Sequence, residues 1–233
     1  MAGLGSTSRP AFHLPLGRAE YGETLELQRA LHARRKTGAI PDTVITVEHD
    51  PVITFGRSSS REHLLVSSQE LEREGVALFE VERGGDVTYH GPGQLVVYPI
   101  VDLRQHGRDV KRFVGRLEDA TIATLADLKI ASGRRDGYPG VWVEHRKIAS
   151  IGVYVRGWVS RHGLALNVAV NQAHFAMINP CGLSVQMVSA CDLSDQPIAI
   201  ERVQAVFLDR MSEQFGWRLE EASLAEILGD EDD

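Results

Sequence analysis

Cysteine is scarce in this sequence of 233 residues, which contains only Cys181 and Cys191. The two cysteines lie ten positions apart, and no C-x-x-C pair accompanies them. A disulfide framework needs more cysteines and a structural zinc cluster needs closely spaced pairs, so the sequence argues against both. One of the two thiols is instead a candidate reactive group.

The chain also lacks long apolar runs and an excess of basic residues. No run approaches the length that spans a bilayer, and residues 1–10 lack the charged and then apolar segments of a signal peptide. The net charge is −7, but residues 220–233 supply seven acids and no base, so the remaining chain is balanced. Nucleic-acid binders show a basic excess. We therefore expect a cytoplasmic protein that binds neither nucleic acid nor a membrane.

The order of predicted elements favours a single α+β domain. Apolar spacing predicts helices over 19–37, 68–73 and 109–129 and in the last third, with a polar loop at 133–139. Predicted strands lie at 43–47, 51–55, 76–81, 94–101, 141–144, 147–155 and 161–170. We expect a mixed, largely antiparallel sheet flanked by helices. Residues 1–14 are predicted to form a flexible leader, 15–219 one domain of a monomer, and 220–233 an acidic tail.

Glycine is concentrated in residues 83–97, which read Arg-Gly-Gly-Asp-Val-Thr-Tyr-His-Gly-Pro-Gly-Gln-Leu-Val-Val. The stretch contains neither a G-x-G-x-x-G fingerprint with a downstream acid nor the Gly-Lys-Ser/Thr of a P-loop. Two interpretations remain open. Either the glycines turn a hairpin between the strands at 76–81 and 94–101, or they line a pocket with polar side chains between them.

Cys181 and Lys147 are the candidate reactive side chains. A free cysteine is usually a small buried hydrophobe, but Cys181 lies between Pro180 and Gly182, which favour an exposed turn. The N–H of Gly182 would lie close to an oxyanion formed by attack of the sulfur on a carbonyl. Lys147 begins a strongly apolar strand, although a lysine at the edge of a strand is ordinarily solvated.

One face of the predicted helix at 109–129 carries a stripe of arginines. Arg108, Arg112 and Arg116 recur at i, i+4 and i+8, while the opposite face is apolar. Such a stripe is usually a solvated helix face, and the alternative is a docking patch for an acidic partner.

Four separated motifs resemble the octanoyltransferases of lipoate biosynthesis. They are the glycine-rich residues 83–95, Lys-Ile-Ala-Ser-Ile-Gly at 147–152, His-Gly-Leu-Ala-Leu-Asn-Val at 162–168 and Asn-Pro-Cys-Gly-Leu at 179–183. The match also includes residues 48–57 and covers most of 15–217. The resemblance implies the fold of the lipoate and biotin protein ligase catalytic domain. It implies transfer of an octanoyl group from octanoyl-acyl carrier protein to a lysine of lipoyl domains, in E2 subunits and in the glycine cleavage H protein, without a cofactor or metal.

The same resemblance implies roles for individual residues. Cys181 would be the acyl-thioester nucleophile, and Lys147 would lower the pKa of its thiol and transfer protons. The acyl pocket would be lined by Arg83, Gly84, Gly85, Asp86, Val87, Thr88, Tyr89, His90, Ser150, Ile151, Gly152, Gly163, Leu164 and Ala165.

Two other functions remain open. An ATP-dependent lipoate protein ligase would share the fold and a pocket lysine but would need no thiol at Cys181. A non-catalytic acyl-carrier binding protein would hold the acyl chain without transferring it, and a single-turnover assay would distinguish it from an enzyme.

Overall fold

A computed structural model describes residues 8–179 and 185–229, which form two sheets, six α-helices and several short 3₁₀ helices. The strands are β1 Arg9–Ala19, β2 Asp42–His49, β3 Val52–Phe55, β4 Ala77–Glu80, β5 Thr88–His90, β6 Gln94–Ile100, β7 Gly133–Arg135, β8 Tyr138–Val143, β9 Arg146–Arg156, β10 Val159–Asn167 and β11 Trp217–Glu221. The helices are α1 Tyr21–Thr37, α2 Ser68–Arg73, α3 Val110–Asp127, α4 Gln172–Phe175, α5 Ile200–Phe215 and α6 Leu224–Leu228.

The larger sheet has eight strands in the order β11-β1-β2-β6-β10-β9-β8-β7. The pairs β1–β11 and β1–β2 are parallel, and the remaining neighbours are antiparallel. A smaller sheet has the order β4-β3-β5. This arrangement confirms the predicted α+β class with a mixed, largely antiparallel sheet. Within the described ranges, no helix has the length and apolar character needed to cross a membrane.

Side chains that alternate along the central strands fill two separate cores, because successive strand residues point to opposite faces. On one face Leu95 and Val97 of β6 pack with Phe113 of α3 and Phe207 of α5. On the other face Val96 and Tyr98 of β6 and Ala165 of β10 pack with Leu31 of α1. The larger sheet is therefore covered on both faces.

The glycine-rich stretch connects the two sheets and does not turn a hairpin between its flanking strands. β4, before the stretch, pairs with β3 in the smaller sheet, whereas β6, after it, lies between β2 and β10 in the larger sheet. The hairpin interpretation is wrong because β4 and β6 each find their partners far away in the sequence.

The predicted flexible leader and the predicted acidic tail are both partly folded. β1 begins at Arg9, and Ala11 and Leu14 are buried, so the expected leader contributes a strand to the larger sheet. At the other end, β11 extends to Glu221, and α6 buries Ile227. Parallel pairing of β1 with β11 satisfies the backbone of both segments and holds them against the core.

The arginine stripe on α3 is less regular than the sequence predicts. The helix begins at Val110 with Asp109 as its N-cap, and Arg108 precedes it with a φ of 54°. Arg116 is half-buried, and its guanidinium lies 5.3 Å from the centroid of the Phe215 ring. Only Arg112 is thus an exposed member of the stripe within the helix.

Candidate active site

A cavity of about 300 Å³ lies between the larger sheet and the loop that joins β4 to β5. Its volume is at the lower end of the range of about 300–1,000 Å³ for small-molecule sites. The wall contains thirteen of the fourteen residues predicted to line an acyl pocket, together with Lys147. It also contains residues that the sequence did not single out, namely Tyr21, Tyr98, Val114, Tyr138, Pro139, Trp142, Val153, His162, Val185 and Met187.

The exposure of the lining residues differs between the two ends of the cavity. One end, which we call the closed end, consists of Tyr21, Arg83, His90, Tyr98 and His162, all of them buried. The other end, which we call the mouth, consists of partly exposed side chains around a buried Trp142: Tyr138, Pro139, Lys147, Val185 and Met187. A ligand would therefore enter past Lys147 and extend towards the histidines.

Lys147 lies at the start of β9 and is held at the mouth by the pairing of β9 with β8. It faces Trp142 in the register of β8 and β9, and its Nζ lies 5.4 Å from the centroid of the indole ring. Gly140 lies beside it with a φ of 122°, and a Cβ at that position would come within 2.6 Å of Lys147 Cε. A glycine is therefore needed where the lysine stem passes. Trp142 makes a cation–π contact with the ammonium group.

The chain on either side of residues 180–184 is fixed by backbone hydrogen bonds. The N–H of Asn179 donates to the carbonyl of His63 (2.8 Å), and the N–H of Lys147 donates to the carbonyl of Gln186 (2.8 Å). The N–H of Val188 donates back to the carbonyl of Lys147 (3.0 Å). Cys181 lies outside the described residues. The described chain nevertheless resumes at the cavity wall, beside Lys147.

Cys191, the other cysteine, lies away from the cavity. It is a half-buried free thiol in a short 3₁₀ helix, and its side chain packs against the core between the larger sheet and α5. The sulfur lies 3.7 Å from the carbonyl oxygen of Ile198, and the Cys191 N–H donates to the carbonyl of Val168. These contacts describe a structural cysteine.

Arg83 organises the loop that forms the closed end. Its guanidinium donates to the carbonyl oxygens of Asp86 and Thr54, both at 2.7 Å, and to Thr54 Oγ1 at 2.9 Å. A fourth bond, at 3.1 Å, goes to the carbonyl of Gly84. Burial lowers the pKa of Arg83 from its usual value. The bonds tie the glycine-rich loop to β3 and hold its backbone against the cavity.

Asp86 connects the cavity wall to the chain that precedes Cys181. Its Oδ1 accepts from the N–H of Val87 (2.7 Å), and its Oδ2 lies 2.7 Å from His63 Nδ1, at an ion-pair distance without hydrogen-bond alignment. The carbonyl of His63 in turn accepts from Asn179. The loop at 83–86 and the segment that leads into residue 180 are thus joined through one residue, His63, by its imidazole and its backbone carbonyl.

Two glycines allow backbones to approach closely at the cavity. A Cβ at Gly152 of β9 would lie 2.8 Å from the carbonyl oxygen of Gly84, and one at Gly163 of β10 would overlap the carbonyl of Val97. The Gly84 N–H donates to the carbonyl of Val153 at 2.9 Å. The glycines therefore bring the loop and the sheet together and leave space that side chains would fill.

Histidines at and behind the closed end are uncharged at neutral pH. His49 lies behind the cavity wall, where its Nε2 and the Tyr98 hydroxyl form a 2.8 Å hydrogen bond, and burial lowers the pKa of His49 to about 4. Burial also lowers the pKa of His90 to about 3, and its Nδ1 lies 2.8 Å from Gln94 Oε1. Desolvation raises the pKa of Tyr21 to about 12. The closed end is consequently polar in composition but carries few charges.

A partly exposed Glu82 contacts the buried His162 beside the closed end. Glu82 Oε1 accepts from Arg161 (2.5 Å), and its Oε2 lies 3.8 Å from His162 Nε2. The contact with His162 and the charge of Arg161 hold the pKa of Glu82 well below its usual range. Desolvation lowers the pKa of His162. His162 has a φ of 54°, and its backbone N–H donates to Gln28 Oε1 of α1, so the backbone at this position is fixed.

Tyr89 is the one predicted pocket residue that does not line the cavity. Because β5 alternates its side chains, Thr88 and His90 reach the cavity while Tyr89 points to the other side. Tyr89 is fully buried, its hydroxyl lies 2.8 Å from His174 Nδ1, and its ring packs edge-on against Phe175. Its place is the core of the smaller sheet.

The sequence contains a signal for some of the unforeseen lining residues. Trp142 and Lys147 lie on the consecutive predicted strands 141–144 and 147–155, so pairing these two strands would have placed the indole beside the ammonium. Tyr21 and Tyr98, by contrast, come from a helix and a central strand that meet the cavity only through long-range packing. No local pattern identifies them.

Comparison with known proteins is consistent with this geometry. Residues 20–212 match the model of the lipoyl protein ligase A/B catalytic domain. An octanoyltransferase from Solibacter usitatus is 51% identical over 178 residues, covering 76% of this chain and 81% of the relative. An octanoyltransferase from Syntrophobacter fumaroxidans is 46% identical over 224 residues, covering 94% and 96%.

The same fold occurs in a solved structure of a putative lipoate protein ligase from T. acidophilum with bound lipoic acid. It superposes with a TM-score of 0.73 at 15% identity and covers 94% of this chain and 91% of that one, a likeness that concerns the fold alone. Together with the sequence matches, these findings show that the chain belongs to the lipoyl protein ligase A/B catalytic-domain family.

Proposed function

We propose that the protein transfers an octanoyl group from octanoyl-acyl carrier protein to a lysine of lipoyl domains, through a thioester on Cys181. The observation that carries this proposal is a narrow cavity with Lys147 at its mouth, beside the chain that resumes after residues 180–184. The names of the relatives support octanoyl transfer. The acceptors would be E2 subunits of 2-oxoacid dehydrogenases and the glycine cleavage H protein, and the enzyme would act as a cytoplasmic monomer.

Lys147 is sufficient to activate the thiol of Cys181. A thiol with a pKa of about 8.5 needs about 2.7 kcal/mol to reach a pKa of roughly 6.5. An ammonium about 4 Å away contributes ~4 kcal/mol at an effective dielectric constant of about 20, before its own desolvation. The contact with Trp142 keeps the ammonium at the mouth.

Transfer would proceed in two half-reactions. The Cys181 thiolate attacks the carbonyl carbon of the donor thioester, and the tetrahedral oxyanion collapses with cleavage of the carbon–sulfur bond to the carrier. The departing thiolate takes a proton from the Lys147 ammonium. A neutral acceptor amine then attacks the acyl-enzyme, and Lys147 takes a proton from the attacking nitrogen as the Cys181 thiolate leaves. The amide product and the original ion pair result.

The cavity would bind the acyl chain by burying its methylene groups. The apolar side chains of Ile151, Val153, Leu164 and Ala165 line the cavity, and Gly152 leaves room against the backbone. Each buried methylene contributes about 0.8 kcal/mol, so chain length would strongly affect binding. The uncharged histidine ring at the closed end avoids placing a charge beside the hydrocarbon.

Intact mass spectrometry tests the proposal directly. Mixing the protein with octanoyl-acyl carrier protein and no acceptor should add one octanoyl group, which peptide mapping should place on Cys181. The Cys191→Ser variant is the matched control and should be acylated normally, because Cys191 packs away from the cavity. An octanoyl group on Cys191, or on a lysine alone, would overturn the assignment of the nucleophile.

The same experiment separates the other two functions. A ligase would transfer free octanoate or lipoate only with ATP, and a binding protein would form no covalent adduct with any donor. Addition of a lipoyl domain to the acyl-enzyme without ATP should move the label to the lysine of the domain.

A further inference from the structure

Two exposed cations flank the mouth of the cavity. Arg135 ends the edge strand β7, and Lys111 lies one helical turn before the lining residue Val114 on α3. Among residues 8–179 and 185–229, neither makes an ion pair with a carboxylate. The neighbouring Arg134 differs, because Glu118 and Asp119 bind it at 2.6 and 2.9 Å. The rim therefore offers positive charge that the described protein does not neutralise.

The guanidinium of Arg135 is fixed close to the reactive end of the cavity. Its Cζ lies 4.8 Å from the ring centroid of Tyr138 and 5.1 Å from that of Trp142. Lys147 Nζ lies 5.4 Å from the same indole centroid, so the two cations are at most 10.5 Å apart, the sum of both distances. A guanidinium held against aromatic rings loses little further freedom when its N–H groups bind a ligand.

The carrier protein and the acceptor domain present their reacting groups to the mouth on arms of different length. The carrier delivers its acyl group on a long, flexible phosphopantetheine arm, so its folded body does not need to contact the mouth. An acceptor lysine has only a four-carbon stem, which spans roughly 6 Å. The backbone of the acceptor must therefore lie at the mouth, and its next residues along the chain would come close to Arg135.

From this geometry we propose that Arg135 binds a carboxylate side chain within one or two residues of the acceptor lysine. The inference deepens the proposed octanoyl transfer and depends on it. A planar guanidinium matches a carboxylate through two parallel N–H···O bonds. Lys111 adds attraction at longer range, and exposed Asp136, next in the chain, opposes it.

The test measures the two half-reactions separately. Arg135→Gln should increase the KM for a lipoyl domain by about tenfold to a hundredfold, the range for a lost charge-assisted hydrogen bond. Formation of acyl-enzyme from octanoyl-acyl carrier protein should stay within about twofold of wild type, which also reports that the variant is folded. Arg135→Lys should give an intermediate KM, since it keeps the charge and loses the planar fork. Arg218→Gln, on β11 at the other end of the larger sheet, is the matched control and should change neither step.

A lipoyl domain that lacks the acidic side chain tests whether that side chain is the group bound by Arg135. Replacing the acidic residue beside the target lysine with its amide should weaken the wild-type reaction about as much as Arg135→Gln does, and the two changes together should cost no more than either alone. Additive losses, an unchanged KM in Arg135→Gln, or an equal loss in acyl-enzyme formation would overturn the inference. Failure of the wild-type protein to form an acyl-enzyme would instead overturn the proposed function.

Discussion

The two ends of the cavity are stabilised in different ways. At the closed end, Arg83 is buried and makes four hydrogen bonds, and His90 is held by Gln94 within a buried network. At the mouth, Lys147 lies at a half-exposed position at the start of β9 and is held by backbone hydrogen bonds to residues 186 and 188. The closed end therefore depends on the folding of both sheets, while the mouth can change in charge and shape at little cost to stability.

The largest effect is expected from removing the charge at the mouth. Lys147→Met should lower turnover by roughly 10²- to 10⁴-fold, the usual contribution of a general acid–base group. The pKa of Cys181 should rise towards ~8.5, so alkylation at pH 6.5 should slow strongly. Turnover and the pH dependence of alkylation are the measurements, with Lys129→Met, an exposed lysine elsewhere, as control.

Lys147→Arg sharpens the same test. The guanidinium keeps a positive charge near the sulfur but does not give up its proton at any working pH. The departing carrier thiolate would then take its proton from water, so we expect acyl-enzyme to form more slowly but to accumulate, while transfer to the acceptor fails. Full turnover of Lys147→Arg would end the claim that this residue moves protons, and an unchanged alkylation profile in Lys147→Met would end the claim that it activates the thiol.

Substitution of Arg83 at the closed end should lower the stability of the folded protein. Arg83→Met removes a buried cation and leaves the carbonyls of Thr54 and Asp86 without their donors, so the free energy of unfolding should fall by about 3 kcal/mol. Urea unfolding measures this change. Arg73→Met, at an exposed arginine of α2, should stay within about 0.5 kcal/mol of wild type. Equal stability of both variants would show that the loop does not depend on Arg83.

Acid should destabilise the histidine cluster. His49 and His90 stay neutral in the folded protein down to pH values of about 4 and 3, their folded pKa values, whereas unfolded histidine takes a proton near 6.5. The unfolded state therefore binds more protons between pH 6.5 and 4, and stability falls as pH falls through that window. Each of the two histidines should lower the free energy of unfolding at pH 5 by about 2 kcal/mol relative to pH 7.5.

Comparing variants at both pH values isolates one of these histidines. His90→Asn removes the titrating group. Between pH 7.5 and pH 5 the variant should therefore lose about 2 kcal/mol less free energy of unfolding than wild type. This difference does not depend on how stable the variant is at pH 7.5. His145→Asn, at an exposed turn, should lose as much as wild type. A pH dependence that His90→Asn leaves unchanged would show that His90 becomes protonated in the folded state.

The smallest effect on activity is expected from substitutions on the face of α3 that points away from the cavity. Arg112 lies two residues from Val114 along the helix, so the two side chains point in nearly opposite directions. If the carrier docks on that face, Arg108→Glu with Arg112→Glu should raise the KM for carrier-bound octanoyl by a few fold and reduce its salt dependence. A small octanoyl thioester should react normally, and equal losses with both donors would argue against docking.

The sequence predicts elements whose signal is local. The apolar spacing of α3 and α5 predicts both helices, and the strands β2, β3, β8 and β9 follow from short apolar runs. The sequence does not predict β1, because two prolines and a glycine, Pro10, Pro15 and Gly17, interrupt the alternation of apolar and polar side chains. The pairing of β1 with β2 also shifts its register between Pro15 and Arg18. The polar segment at 133–139 likewise conceals β7, which is only three residues long.

The site residues likewise differ in whether the sequence carries a signal for them. The loop at 83–90 and the strands around Gly152 and Gly163, which line the cavity, are implied by the family resemblance that the four motifs carry. Tyr89 departs from the prediction because β5 alternates its side chains, whereas the motif alone predicts a continuous lining. The contact between His63 and Asp86 depends on packing across the smaller sheet, which no spacing in the sequence reveals.

The short strand β7 also bears on how the protein behaves at high concentration. An open sheet edge presents unpaired N–H and C=O groups, to which an identical edge on another molecule can add. β7 offers only three residues, and two of them are arginines. Two such edges would bring like charges together, which opposes pairing. The opposite edge, β11, is also short and carries Arg218, Glu220 and Glu221. The charges that border the larger sheet thus discourage fibre-like association of a protein rich in β structure.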